Sequence, residues 1–244
     1  MTDARLELAS KDVNEGSVLL RGTIVFSCLY IPETGQGIST LSGAVPFELE
    51  IKAEGADSES FAMSDIRISS VQARTLNPRK VNVKTELTAE AEIYQIGELE
   101  WFDEPGERPE GVFFRRTELE PVTVCSAAEK TFSVENEFDL TELGDSADIL
   151  SVSSRLCTDS ADAVGAKLII KGHAELEILY LNSGKLGRAQ RSLQYSQIFE
   201  LSERDTVPEH RVITVPTGEH YELSDGILSY ELHAVMQTVC YQKK

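Results

Sequence analysis

The feature that most constrains the fold of this chain is a strict alternation of small or apolar residues with polar ones. Over residues 80–93 every odd-numbered position is small or apolar and every even-numbered position is polar. A period of two places successive side chains on opposite faces of a β-strand, whereas a surface helix repeats its apolar residues about every 3.6 positions. In residues 168–180 every even-numbered position is apolar or glycine, while Lys171, His173, Glu175 and Glu177 lie on the other face; no stretch carries a helical apolar stripe. The sequence therefore predicts an all-β protein.

An internal repeat groups the predicted strands into two units. When the chain is shifted by 150 residues, residues 20–30 overlie 170–180, with a glycine third and a tyrosine last in both segments. The offset then drifts to 148 and 147, so that residues 45–47 overlie 193–195 and Tyr94 overlies Tyr241. Because 150 is even, the buried faces of the matched strands agree. The repeat predicts two tandem antiparallel units of β-sandwich or partial-barrel type.

An acidic segment separates the two units. Residues 98–111 contain six acids, two prolines and two glycines, a composition typical of a linker or a long exposed loop. We therefore predict a first β domain over residues 1–97, a linker or loop over 98–112, and a second β domain over 113–244. The second domain is predicted to begin with two additional short strands within residues 113–140, at 121–125 and 131–140, that have no counterpart in the first.

The ordered segments of both units carry a set of Gly, Tyr, Pro-Phe and Arg-Lys-Val positions. They are residues 19–31, 45–51 and 76–93 in the first unit, and 127–140, 147–156, 168–181 and 193–201 in the second. In this order they resemble the SPOCS-domain family of SipL-like spore coat morphogenetic proteins, in two tandem copies. The resemblance implies a non-enzymatic component of the protein layers that are assembled around the forespore from the mother-cell cytoplasm. It implies other coat or morphogenetic proteins as partners, and self-association; the LysM module of SipL-like proteins is not found here.

The charge of the chain excludes several other partners. Forty-one Asp and Glu against 23 Lys and Arg give a formal net charge of -18, which is unsuited to nucleic acid or to anionic lipid. No apolar run approaches the roughly 20 residues that cross a bilayer, so membrane insertion is not expected. The four cysteines stand far apart, and the N-terminus lacks the pattern of a secretory signal. We expect a cytoplasmic protein with reduced thiols.

No catalytic, cofactor or metal site is predicted from the residue pattern. All four histidines fall in the second unit, where His173 and His233 occupy the polar register of their strands. The cysteines lack close CxxC spacing, and neither a Gly-x-Ser-x-Gly turn nor a His-Glu-x-x-His helix occurs. Glu175 and Glu177 lie on one strand face, as expected for a solvated sheet surface rather than for two carboxylates across a cleft. The chain is therefore expected not to be an enzyme.

Two groups of residues are candidates for binding a partner protein. Trp101 and Phe102 form an aromatic pair in the acidic segment, and they either cover an edge of the first domain or anchor a partner. Arg79, Lys80 and Lys84 follow Asn-Pro, which predicts a turn, and they also form a basic patch suited to an acidic surface on a neighbour. The sequence thus predicts a structural or interaction protein. The alternative is a carbohydrate- or peptidoglycan-binding module, which would show a row of exposed aromatic side chains.

Overall fold

A computed structural model describes residues 2–33, 35, 37–95, 111, 122–144, 147–201 and 209–243. These residues form eleven β-strands and one turn of 3₁₀ helix, Thr141–Leu143, with no α-helix. The strands of the first unit are β1 (Thr2–Asn14), β2 (Ser17–Tyr30), β3 (Ser39–Lys52), β4 (Phe61–Asn77) and β5 (Lys80–Tyr94). Those of the second are β6 (Val122–Asp139), β7 (Asp148–Val164), β8 (Lys167–Asn182), β9 (Lys185–Glu200), β10 (Glu209–Ser224) and β11 (Ile227–Lys243). The all-β prediction is confirmed.

The two units share one strand order. In the first, an antiparallel β1-β2-β3 sheet is followed by the β4–β5 hairpin, and in the second a β7-β8-β9 sheet is followed by the β10–β11 hairpin. Strands β2 and β8 begin 150 residues apart, and β5 and β11 begin 147 residues apart. Corresponding strands of the two units are therefore separated by the same numbers of residues as the repeat found in the sequence. The sheets pack face to face and do not close into a barrel.

Strand β6 belongs to the second unit and has no counterpart in the described part of the first unit. The sequence suggested two short strands, at residues 121–125 and 131–140, but the structure joins them into one. The two runs form a single strand because the neighbouring strand β11 pairs with β6 continuously, from Ile227 opposite Asp139 to Lys243 opposite Val122, with one bulge. A long antiparallel neighbour carries the ladder through the polar residues Glu129 and Lys130, which interrupt the apolar pattern.

Strand β11 lies at the centre of the molecule. From Ala234 to Cys240 each of its residues is buried, so this part of the strand is covered on both faces. Leu228, Leu232 and Met236 pack toward the β7-β8-β9 sheet, in two apolar clusters that also contain residues of β8 and β9. Val235 packs the opposite way, with residues of β1, β2 and β4.

The apolar cluster on that second side contains residues of both units. Leu6, Leu8 and Leu20 of the first unit pack there with Val215 and Val235 of the second. The predicted boundary at residues 98–112 lies outside the described residues, apart from Gly111, so the division into domains 1–97 and 113–244 stays a prediction. Within the described residues, the two repeated units bury apolar surface against each other.

Candidate interaction surface and polar sites

The outer part of the β4–β5 hairpin projects from the first unit. Every residue from 72 to 82 is exposed. Strand pairing continues to the tip, where Asn77 is opposite Lys80. The backbone N–H of Arg79 donates to Asn77 Oδ1 at 2.9 Å, which fixes the turn through Pro78. We call residues 66–85 the basic arm.

The basic arm has a charge opposite to that of the remaining chain. It contains five Lys and Arg residues and no Asp or Glu, so all 41 acids lie elsewhere together with the other 18 Lys and Arg. Lys84 Nζ lies 2.6 Å from Glu86 Oε1, and this contact with Lys84 lowers the pKa of the Glu86 carboxyl. Within the described residues, the side chains of Arg79 and Lys80 form no ion pair. These two cations are therefore available to a partner.

Apolar side chains accompany the cations at the tip of the arm. Leu76 is 52% exposed and Val81 is 38% exposed, one on each strand beside the turn. A surface that combines exposed apolar side chains with unpaired cations is typical of a protein-binding site. Of the predicted partner-binding residues, the structure thus brings Arg79, Lys80 and Lys84 together on one projecting element. Trp101 and Phe102 lie outside the described residues.

A second polar group lies on the open face of the β7-β8-β9 sheet. Cys157 on β7 is directly opposite His173 on β8, and Glu175 follows two residues later on the same face. One donor atom from each of these three side chains lies within 4.8 Å of the other two. His173 Nδ1 is 3.0 Å from Asp159 Oδ2, and His173 Nε2 is 3.6 Å from Glu175 Oε1. The hydrogen bond with Asp159 raises the pKa of His173, and the Glu175 carboxylate contributes to the same effect.

Sequence reasoning placed His173 correctly on the polar register but did not associate it with a cysteine. Cys157 precedes His173 by sixteen positions, and no local spacing motif links them. The signal that joins them is the hairpin itself, because Val164 and Lys167 flank a two-residue turn and pair with each other. Counting outward from that turn would place Cys157 opposite Ala174, and the bulge between Thr158 and Ser160 shifts the register by one residue so that Cys157 pairs with His173.

A third polar group joins the repeated units inside the protein. Gln237 on β11 is fully buried, and its Oε1 accepts hydrogen bonds from Lys11 Nζ at 2.7 Å and from the Ser64 N–H at 2.9 Å. Its Nε2 donates to the Ser64 carbonyl oxygen at 2.8 Å. Lys11 also donates to the Ala62 carbonyl oxygen at 2.6 Å and forms an ion pair with Glu129 of β6. The side-chain amide of Gln237 thus makes the hydrogen bonds with the backbone of β4 that a neighbouring strand would otherwise make.

The described surface does not show the feature expected of a carbohydrate-binding module. Among the large apolar side chains that are exposed in the described residues, Tyr30 is the one aromatic. Carbohydrate recognition by stacking would need several such rings on one face. The same part of the chain also contains no helix with the length and apolar character needed to cross a membrane.

The strand order, the repeat and the packing define the class of the protein, an all-β protein of two repeated antiparallel units. Residues 1–76 match the family model described as SipL, SPOCS domain. The resemblance to the SPOCS-domain family is thereby confirmed over β1, β2, β3 and nearly all of β4, and it points to a role related to sporulation. Searches among curated proteins and among solved structures gave no significant match.

Proposed function

We propose that the protein is a non-enzymatic structural component that takes part in spore coat or spore envelope assembly through protein–protein contacts. The observation that carries the proposal is the basic arm, a projecting hairpin with unpaired cations on an otherwise acidic chain. The family match over residues 1–76 supplies the sporulation context, and its last residue, Leu76, lies at the tip of the arm. The carbohydrate-binding alternative gains no support from the exposed residues that are described.

The arm suits an acidic protein surface as its partner. Charges of opposite sign on two surfaces accelerate their encounter and fix their orientation, while apolar side chains at the contact contribute area that is removed from water. Such a surface is present on a second copy of this chain, whose acids all lie outside the arm, and other acidic coat proteins would offer one too. We therefore propose that the arm joins this protein either to itself or to a coat protein, at the forespore surface on the mother-cell side.

A fluorescent fusion in sporulating cells of the source organism tests this function. We expect a shell of fluorescence around the forespore for the wild-type chain and a diffuse signal for the double variant Arg79→Glu/Lys80→Glu. The matched control is Lys130→Glu/Lys185→Glu, which changes the net charge equally at two exposed positions outside the arm, and it should keep the shell. A diffuse wild-type signal throughout sporulation would reject the coat proposal, and a shell retained by the arm variant would reject the arm as its basis.

A further inference from the structure

We infer that Cys157, His173 and Glu175 bind a divalent cation of the zinc class on the open face of the β7-β8-β9 sheet. The inference is independent of the proposed assembly function, since it concerns another unit and another surface. It rests on the strand register, on the distances between donor atoms, and on the position of Asp159.

The register provides the ligands without a local sequence motif. Cross-strand partners in an antiparallel pair project from the same face with their Cβ atoms roughly 5 Å apart, and residue i+2 on either strand shares that face. Cys157 and His173 are such partners and Glu175 is such a neighbour. Their donor atoms already lie within 4.8 Å of one another, whereas tetrahedral zinc with bonds of about 2.0–2.3 Å holds its donors about 3.5 Å apart. Modest side-chain rotations close this difference, because none of the three side chains is tightly buried.

Asp159 orients the histidine as a metal ligand requires. A histidine that binds a metal through one ring nitrogen usually donates the N–H of the other to a carboxylate or carbonyl oxygen. Here Nδ1 of His173 faces Asp159 Oδ2 at 3.0 Å, so that the hydrogen bond places the proton on Nδ1 and leaves the lone pair on Nε2. Nε2 is the ring nitrogen that lies toward Glu175, at 3.6 Å. Asp159 is thus a positioning residue and not one of the three ligands.

The donor set selects the kind of cation. A thiolate and an imidazole favour zinc and its relatives over magnesium or calcium, which prefer sites made only of oxygen donors. Three protein ligands leave one tetrahedral position for water or for a further donor. The site that we propose therefore binds Zn²⁺, and Co²⁺ is its spectroscopic substitute.

Titration of the full-length protein with cobalt chloride tests the site. We expect one equivalent of Co²⁺ to produce visible d–d bands of tetrahedral geometry together with a near-ultraviolet thiolate-to-cobalt charge-transfer band. Cys157→Ser should remove the charge-transfer band, and His173→Gln or Glu175→Gln should weaken binding at least tenfold. Asp159→Asn should keep the bands but lower the affinity, by roughly 10- to 100-fold as for other supporting residues of metal sites. Competition with zinc chloride should abolish the cobalt spectrum.

His233 provides a matched control. It lies on an exposed strand face, and its Nε2 is 3.1 Å from the carboxylate of Glu231, two residues away, but its cross-strand neighbours are Gly218 and Ser133 rather than a cysteine. His233→Gln should therefore leave the cobalt spectrum unchanged. The inference is overturned if the wild-type protein shows no tetrahedral cobalt spectrum, or if the charge-transfer band survives in Cys157→Ser. Circular dichroism of each variant establishes that the fold is retained.

Discussion

Glu219 on β10 is a carboxyl group buried at the junction of the two repeated units. Its side chain is 3% exposed, Ser154 Oγ donates to Oε2 at 2.9 Å, and Arg5 Nε lies 3.8 Å from Oε2. Burial raises the pKa of Glu219, and the attraction of Arg5 opposes this effect only in part. Oε1 of Glu219 and the hydroxyl of Tyr230 are both buried, and within the described residues neither makes a hydrogen bond of standard geometry, although the two side chains interact. The protein therefore carries an incompletely satisfied acid inside its core.

The raised pKa of Glu219 predicts how stability depends on pH. The folded state binds the proton more tightly than the unfolded state, so the contribution of Glu219 to stability is fully present below the unfolded-state pKa. It is lost as the pH rises through the folded-state pKa. Glu219→Gln should remove this loss, so that the variant gains stability relative to wild type with rising pH. Urea unfolding at a series of pH values measures the difference.

The exposed Glu222 on the same strand provides the control for that experiment. Glu222→Gln makes the same chemical change at an exposed position, so the difference between the two variants isolates the effect of burial at Glu219. A free-energy difference between Glu219→Gln and wild type that is independent of pH would contradict the assignment of a raised pKa to Glu219.

The sequence was least informative about the burial and the contacts of individual polar side chains. The polar register of His173 followed directly from alternation within one strand. The burial of Glu219 and Gln237 could not follow in the same way, because their partners Arg5, Ser64 and Lys11 belong to the other repeated unit. A polar residue on an alternating strand is indistinguishable from a solvated one until the packing of a second sheet is known.

At the scale of strands, the middle strand of each repeated sheet contains a glycine that lies beneath an aromatic ring. A Cβ atom on Gly22 of β2 would lie 2.2 Å from the Glu7 carbonyl oxygen and 2.7 Å from the ring of Phe47. One on Gly172 of β8 would lie 2.3 Å from the Cys157 carbonyl oxygen and 2.4 Å from Tyr195. The sequence repeat overlaid these glycines and these aromatic residues, and the structure supplies the reason: the ring of the third strand occupies the space above the middle strand.

We expect Gly22→Ala to destabilise the protein by about 1–3 kcal/mol, because the added methyl group meets a backbone carbonyl oxygen that cannot move aside freely. Urea unfolding with a linear fit gives the value. Gly218→Ala is the control, since its Cβ would be no closer than 3.7 Å to His233 and would meet only ordinary contact. Equal stability of Gly22→Ala and Gly218→Ala would mean that the sheet accommodates the methyl group and that the ring does not require glycine below it.

Strand prediction succeeded where alternation was long and failed where it was interrupted. The pattern over residues 80–93 gave β5 almost to its ends, Lys80–Tyr94. Strand β6 was divided in two because Glu129 and Lys130 break the apolar sequence, although β11 pairs across both of them. The continuity of a strand depends on the length of its neighbour, and a single strand's own sequence does not contain that information.

The whole molecule is organised around β11, which is buried on both faces from Ala234 to Cys240 and contributes residues to each of the three apolar clusters. Two additional cross-unit ion pairs, Arg5 with Glu219 and Arg211 with Glu92, lie along the same junction. An interface in which apolar side chains of both units share one cluster does not separate without exposing the core of each unit. The repeat therefore describes the strand order of each unit, whereas the stability of the protein depends on the contacts between the two units.

Replacement of Gln237 by leucine tests whether the two units unfold together. The variant leaves the N–H and carbonyl groups of Ser64 and the ammonium group of Lys11 without their hydrogen bonds to this amide, and a buried unsatisfied polar group costs about 1–3 kcal/mol. We expect a loss of at least about 2 kcal/mol on that basis, in a single calorimetric transition. Amides of β2 and of β8 should lose hydrogen-exchange protection by the same amount, whereas Gln72→Leu on the exposed arm should change neither. If the amides of β2 lose protection while those of β8 keep it, the units unfold separately and β11 is not the common core that its burial indicates.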